Sequence, residues 1–186
     1  MLFGKKSAEF NVKNCKLEVK FMKTNDNLMS AFAGESQANR KYLAFAKKAE
    51  KEGFKNIARI FQAIAEAETV HALKHFETAG QVGTTLENIK GAVEGENYEF
   101  TVMYPDFIET AEKEGEKKAK QSFEFANEAE KVHGEIFNKL EESAVRGEDI
   151  EDKEVFLCPV CGWVGTDPSP EKCPICKTPS KSFKTF

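Results

Sequence analysis

The sequence predicts an all-α four-helix bundle followed by a small four-cysteine metal domain. Three observations carry that expectation. Long stretches keep apolar residues at steps of three and four, as one face of a helix requires. A helical hairpin of about sixty residues occurs twice, which is the way a bundle is built from units that cannot bury their faces alone. After a charged linker, two Cys-x-x-Cys pairs sit in a tail too short to hold together by an apolar core.

The totals bound the partners. Of 186 residues, 40% are apolar and 31% charged, with net charge −4 and a pI of about 5.6. That balance argues against nucleic acid or an anionic membrane as main partner, since both call for a basic surface. No apolar run approaches the roughly 20 residues that span a bilayer. The start, MLFGKKSAEF, lacks the apolar stretch of a secretory signal, so the cytoplasm is the expected compartment. There the paired cysteines read as metal ligands and not disulfides.

Residues 1–24 form an extension of unknown role. Its FNVKNCKLEVKF alternates like a short strand, and its Cys15 is expected to be an incidental thiol. The bundle is expected over 25–147. Thr24 to Asn27 offer N-cap oxygens for a helix whose stripe is Leu28, Phe32, Glu35, Asn39, Tyr42, Ala46 and Ala49, ending at Gly53. A second helix over 54–79 places Ile57, Phe61, Ile64, Glu68 and His71 on its core face, with Gly80 just past its end. Thr84 and Thr85 can cap a third, carrying Ile89, Val93, Glu96, Glu99 (or Phe100) and Met103, which Pro105 should kink. A fourth, after Gly115 and running to about Ala144, carries Ala119, Phe123, Ala126, Glu130, His133, Phe137 and Leu140. Residues 148–153 are the linker and 154–186 the second domain.

The repeat aligns Gly34-Glu35 with Gly95-Glu96 at an offset of 61. It aligns Ala49–Gly53 with Ala111–Gly115, and Glu68-x-x-His71 with Glu130-x-x-His133, at an offset of 62. One residue is therefore inserted in the second copy. Carboxylates and imidazoles recur on core faces, where an unpaired charge costs several kcal/mol. Two of the chain's three histidines lie in these copies.

The seam gathers Glu35, Glu68, His71, Glu96, Glu99, Glu130 and His133. One Glu from each of two helices and a Glu-x-x-His from each of the others is the ligand set of the di-iron carboxylate proteins of the ferritin-like class. Five carboxylates and two divalent cations leave a charge of −1; a purely structural polar core would leave the five to repel one another. Oxygen-rich ligation with one imidazole per metal suits iron or manganese better than zinc. His75, whose counterpart is Phe137, reads as a packed or supporting histidine. Glu99 has no counterpart, the matching residue being Ala38, so the site is expected to be asymmetric. Cys158, Cys161, Cys173 and Cys176 can hold one tetrahedral metal. The knuckle pattern suits a one-iron rubredoxin centre or a zinc ribbon, and the di-iron seam beside it favours iron.

GESQANRKY, EAETVHA, GENYEFTVMYPDF and EAEKVH, with the two knuckles and only eleven residues between them, resemble the rubrerythrin family over about residues 22–186. Lys177 departs from the Gly usual after the second knuckle. The resemblance implies two irons in the bundle and one in the four-cysteine domain, with zinc a possible substitute. It implies a peroxidase that reduces hydrogen peroxide to water in oxidative stress defence. Electrons would come from NAD(P)H through a reductase and a rubredoxin. It implies that one iron moves between His71 and Glu99, and that Tyr42 and Tyr104 donate hydrogen bonds near the site, while Tyr98 packs. It also implies a homodimer or higher homo-oligomer, with the rubredoxin-like domain of one chain near the bundle of the other. Two alternatives stand beside it: a ferroxidase or iron-handling protein of the ferritin class, and a zinc-ribbon binding module.

Overall fold

The computed structural model describes the backbone of residues 12–186 and the side chains of residues 23–186. It is mostly helical: α1 (Val12–Lys51), α2 (Lys55–Thr78), α3 (Thr85–Tyr98), a π-helical turn (Glu99–Met103), α4 (Tyr104–Glu114) and α5 (Lys117–Val145). Three short strands follow, β1 (Val155–Leu157), β2 (Val164–Thr166) and β3 (Lys184–Thr185). The chain divides into two compact units, the first ending at Val82 and the second spanning Gly83–Phe186.

In the first unit α1 and α2 form a hairpin. Gly53 makes the turn at φ +87°, a conformation that disfavours side chains. The helices meet through small residues: Ala46 and Ala49 of α1, and Ala58, Ala65 and Ala72 of α2, are buried. Asn39 is buried among them, its Nδ2 donating to the Ala65 carbonyl at 2.6 Å and to Thr69 Oγ1 at 2.8 Å. This corrects the expected stripe. Ile57 and Ile64 are 51% and 42% exposed, and the buried row lies one residue further on. Alanines let the two backbones approach, so the larger side chains flank the contact.

The start of α1 also differs from expectation. From Val12 the segment expected as a strand, and the Thr24–Asn27 stretch expected as a cap, are turns of one helix. Val12, Cys15, Val19 and Met22 fit steps of three and four as well as alternation, and no Gly or Pro lies between Val12 and Gly34. Residues 1–11, and the Cys15 side chain, lie outside what the structure describes.

In the second unit Thr84 caps α3. Its Oγ1 accepts from the Glu87 N–H at 3.3 Å, and Glu87 Oε2 accepts from the Thr84 N–H at 2.7 Å, so two orphan donors are satisfied reciprocally. The kink expected at Pro105 is instead a π-turn immediately before it, with Pro105 in the first turn of α4. This is where the repeat offset grows from 61 to 62: the inserted residue is absorbed in a wider turn. Gly115, left-handed at φ +76°, closes α4 as Gly53 closes α1.

The repeat also governs aromatic packing. In the first unit Tyr42, Phe45 and Phe61 pack with ring centroids 5.7–6.3 Å apart. Their counterparts at an offset of 62, Tyr104, Phe107 and Phe123, pack at 5.5–6.3 Å.

The tail folds as an antiparallel sheet of order β2-β1-β3, with Phe156 opposite Gly165 and Thr185. Phe156, Cys158, Cys161, Trp163 and Cys173 make its core, against which Phe125 and Val132 of α5 pack. The linker explains this return. His133 lies twelve residues before the end of α5, about 18 Å along the axis. The nine residues from Arg146 to Glu154 span up to roughly 30 Å, enough to fold back.

Candidate metal centres

Each unit brings one three-ligand cluster together. In the first, Glu35 of α1 meets Glu68 and His71 of α2, with ligand atoms within 4.8 Å of one another. The i, i+3 spacing stacks the latter two on one face, His71 Nδ1 lying 3.0 Å from Glu68 Oε2. His71 is exposed and Glu68 nearly buried. In the second unit Glu96 of α3 meets Glu130 and His133 of α5 within the same limit. His133 Nδ1 stands 2.6 Å from Glu130 Oε2 and 3.8 Å from Glu96 Oε2.

This second cluster is electrostatically strained. Burial, then the adjoining Glu130 carboxylate, pushes Glu96 up to about 7 against the partial relief given by His133. Glu96 Oε2 is buried and accepts no hydrogen bond. Crowded oxygens with an orphan lone pair fit a divalent cation, which satisfies both. Glu99, in the π-turn, stands outside the cluster but within its field: burial and the Glu130 charge raise it, and His133 lowers it. Tyr104 faces the same charges, its hydroxyl raised by burial and then by Glu99, Glu130 and Glu96. Tyr42 lies in the aromatic group of the first unit. Tyr98, expected to pack, is 57% exposed. His75 is half-buried and belongs to neither cluster.

The four cysteines of the tail converge. All are free thiols with sulfurs within 4.8 Å of one another, Cys158 to Cys176 at 3.5 Å and Cys161 to Cys173 at 3.4 Å. Metal–sulfur bonds of about 2.3 Å in a tetrahedron put sulfurs about 3.8 Å apart, so the cage fits one ion. Burial pushes Cys161 and Cys173 up. Burial also acts against the Cys176 thiolate, but the Thr178 hydroxyl at 3.1 Å, the Thr178 N–H and the Cys158 and Cys161 thiols outweigh it, and its pKa falls to about 6. The knuckles are alike in backbone: Gly162 after Cys161 is left-handed at φ +84°, and Lys177 after Cys176 takes φ +64°. Lys177 Nζ donates to the Pro174 carbonyl at 2.7 Å.

One contact was not legible in the sequence. His133 Nε2 lies 3.0 Å from the Gly162 carbonyl, across 29 residues. Only a protonated Nε2 can make that bond, so the lone pair of the neutral ring is Nδ1, the atom facing Glu96 and Glu130. The carbonyl belongs to the residue after Cys161, so one hydrogen bond joins the two centres. The contact lies within Gly83–Phe186.

Helical hairpins carrying paired carboxylate–histidine clusters, with a four-thiolate cage after them, define a ferritin-like metalloprotein with a rubredoxin-like domain. Family comparison gives the same division: residues 26–141 match the rubrerythrin model, and residues 156–184 match the rubrerythrin rubredoxin-like domain. The chain belongs to the rubrerythrin family. It is 40% identical to rubrerythrin-2 of Clostridium acetobutylicum over 91% of this chain and 100% of that one. It is 37% identical to a Porphyromonas gingivalis rubrerythrin over 97% and 96%. A solved structure of nigerythrin in its fully reduced, all-ferrous state aligns with TM-score 0.54 at 34% identity, covering 88% of this chain and 86% of that one.

Proposed function

We propose that the protein is a non-haem di-iron peroxidase that reduces hydrogen peroxide to water in oxidative stress defence. Glu35, Glu68, His71, Glu96, Glu99, Glu130 and His133 hold the two irons, and Cys158, Cys161, Cys173 and Cys176 hold a third. When bound, the iron pair supplies both electrons that peroxide takes, and the four-thiolate iron returns them one at a time. Two protons are taken up with those electrons, and two waters leave.

The chain's own residues set the conditions. The bond to Gly162 fixes the His133 tautomer. A cavity of about 270 Å³ lined by Glu96, His133, Ile136, Phe137 and Val164 admits a small substrate beside the ligands. The Tyr104 hydroxyl, kept protonated by burial and then by the surrounding carboxylates, would donate a hydrogen bond near the site; Tyr42 is assigned the same role by the repeat. Glu99 and His71 would serve as alternative ligands to one iron. The electron source is NAD(P)H through a reductase and rubredoxin, the protein acts in the cytoplasm, and it works as a homodimer or higher homo-oligomer.

The observation that carries this reading is the His133–Gly162 hydrogen bond. A centre built only to oxidise and store iron has no use for a one-electron site joined to its ligand. The test is rapid mixing. Iron-loaded protein is reduced without oxygen and mixed with a small excess of peroxide. Return of the red ferric-thiolate colour much faster than with air supports the peroxidase. A colourless four-cysteine site, or return only over minutes with air, together with uptake of iron well beyond three per chain, overturns it for the iron-handling alternative.

A further inference from the structure

Each bundle cluster is half of a site. Glu35, Glu68 and His71 give the first unit two carboxylates and one imidazole, and Glu96, Glu130 and His133 give the second the same set. A two-metal carboxylate centre draws on both sets. The surroundings are half-built as well. On the row of α2 that carries the ligands, Ile57 and Ile64 are 51% and 42% exposed, and the His71 side chain is exposed with them. In the second unit Phe107, of the matching aromatic trio, is 39% exposed. Apolar side chains beside metal ligands on an open face call for a second hairpin over them.

The connection between α2 and α3 bears on which hairpin that is. Gly53 and Gly115 turn the chain tightly inside the two hairpins. The one long crossover of a ferritin-like bundle would therefore fall to the six residues between Thr78, the end of α2, and Thr85, the start of α3. A crossover runs the length of the bundle and leaves α2 and α3 parallel. His71 lies seven residues before the end of α2, about 10 Å, and Glu96 eleven residues after the start of α3, about 16 Å. With the ligands level, the link must climb about 27 Å along the axis and also cross to another helix about 8–10 Å away. Seven Cα steps reach about 25 Å at full stretch, and these are not stretched. Gly80, left-handed at φ +70°, ends α2, its N–H donating to the Glu77 carbonyl at 2.9 Å and the Gln81 N–H to the Phe76 carbonyl at 3.2 Å. Gly83 is tied to α3, its N–H donating to Asn88 Oδ1 at 2.9 Å and its carbonyl accepting from Asn88 Nδ2 at 3.0 Å. Between Gly80 and Gly83 only about 10 Å of chain is left to extend.

We infer that the hairpins are exchanged between two copies of this chain. The α1–α2 hairpin of one copy packs on α3–α5 of a second, and each two-metal site takes Glu35, Glu68 and His71 from one copy and Glu96, Glu130 and His133 from the other. Two-fold symmetry makes the same contact twice and closes the pair, leaving no ligand face open. The inference rests on the two-metal reading of the ligands and not on peroxide as the substrate.

The test is complementation in the full-length protein. Two variants, E35Q/E68Q and E96Q/E130Q, each spoil one half of the site with near-isosteric amides. They are co-expressed with different affinity tags, and the doubly tagged species is isolated and analysed for metal. With exchange, the mixed dimer has one site built from both spoiled halves and one built from both intact halves. It is expected to hold two bundle metals, half the content of the wild-type dimer, where each variant alone holds none. The four-cysteine metal, one per chain, reports that every chain is folded. A mixed species with no more bundle metal than its parents would overturn the exchange, because a bundle closed within each chain leaves every site with a spoiled half. The absence of any doubly tagged species would overturn it too, as would wild-type protein that sediments as a monomer with both bundle metals bound. Recovery of the two metals, together with wild-type protein that does not react with peroxide when iron-loaded and reduced, would overturn the peroxidase reading and leave the exchange intact.

Discussion

At the residue scale Glu96 shows how the site trades stability for binding. Its carboxyl, raised from 4.5 to about 7 in the folded protein, prefers its proton there. The stability this contributes to the metal-free protein is fully present below about pH 4.5 and is lost as pH rises toward 7. Thermal unfolding of metal-free protein should therefore show Tm falling over that window, and Glu96→Gln should flatten the fall while weakening metal uptake. If the variant keeps the wild-type slope, the strain lies elsewhere. Glu99 behaves differently because it stands outside the ligand cluster. Glu99→Ala is expected to retain both bundle metals by elemental analysis and to turn over peroxide at least tenfold more slowly. Loss of metal would remove the basis for an exchange with His71. The two side-chain clusters were legible because Glu-x-x-His recurs at matched positions. The His133–Gly162 bond was not, since nothing local to His133 announces a partner 29 residues away.

At the element scale, periodicity located the helices and the row of α2 that carries Glu68 and His71, but not the row that meets α1. Ile57 and Ile64 carry the stronger apolar signal, while contact with α1 falls to Ala58, Ala65 and Ala72, whose small size is a weak signal in sequence and a strong one in packing. The start of α1 escaped because Val12 to Met22 fits two periods at once. The aromatic trios could have been found: Phe45 and Phe61 recur as Phe107 and Phe123 at the offset that already aligned the metal ligands. Two substitutions test these elements. Asn39→Ala should cost about 1–3 kcal/mol of stability, read by chemical denaturation, because the Ala65 carbonyl and the Thr69 hydroxyl both lose the Asn39 amide donor. Gly165→Ala should cost the four-cysteine domain a similar amount, since a Cβ there would overlap the buried Trp163 ring. Its signature would be metal release at lower temperature with the helical circular dichroism unchanged.

At the scale of the whole molecule, the four-cysteine domain shares a compact unit with the second hairpin and is joined to that hairpin's ligand cluster by a hydrogen bond. Composition alone suggested a detachable appendage: the charged linker and the shift to Pro and Cys read as a boundary. Packing of Phe125 and Val132 on its core makes α5 part of its floor. Removing one thiolate of the cage while keeping this packing is therefore the informative experiment. Cys161→Ser is expected to leave the bundle able to react with one equivalent of peroxide in a single mixing experiment, and unable to complete a second cycle with a supplied donor. Continued cycling would place the domain outside the reaction.

The π-turn at Glu99–Met103 has a consequence for how such a molecule diversifies. Glu35 and Tyr42 are seven residues apart, while Glu96 and Tyr104 are eight, yet Tyr104 still faces the carboxylates of its unit. A straight helix would have rotated everything beyond the insertion by about 100° and scrambled the face. The wide turn confines the slip to one revolution, so both flanks keep their matched partners. The two halves differ by one residue in length and by the exchange of Ala38 for Glu99, yet each keeps its cluster and its aromatic trio.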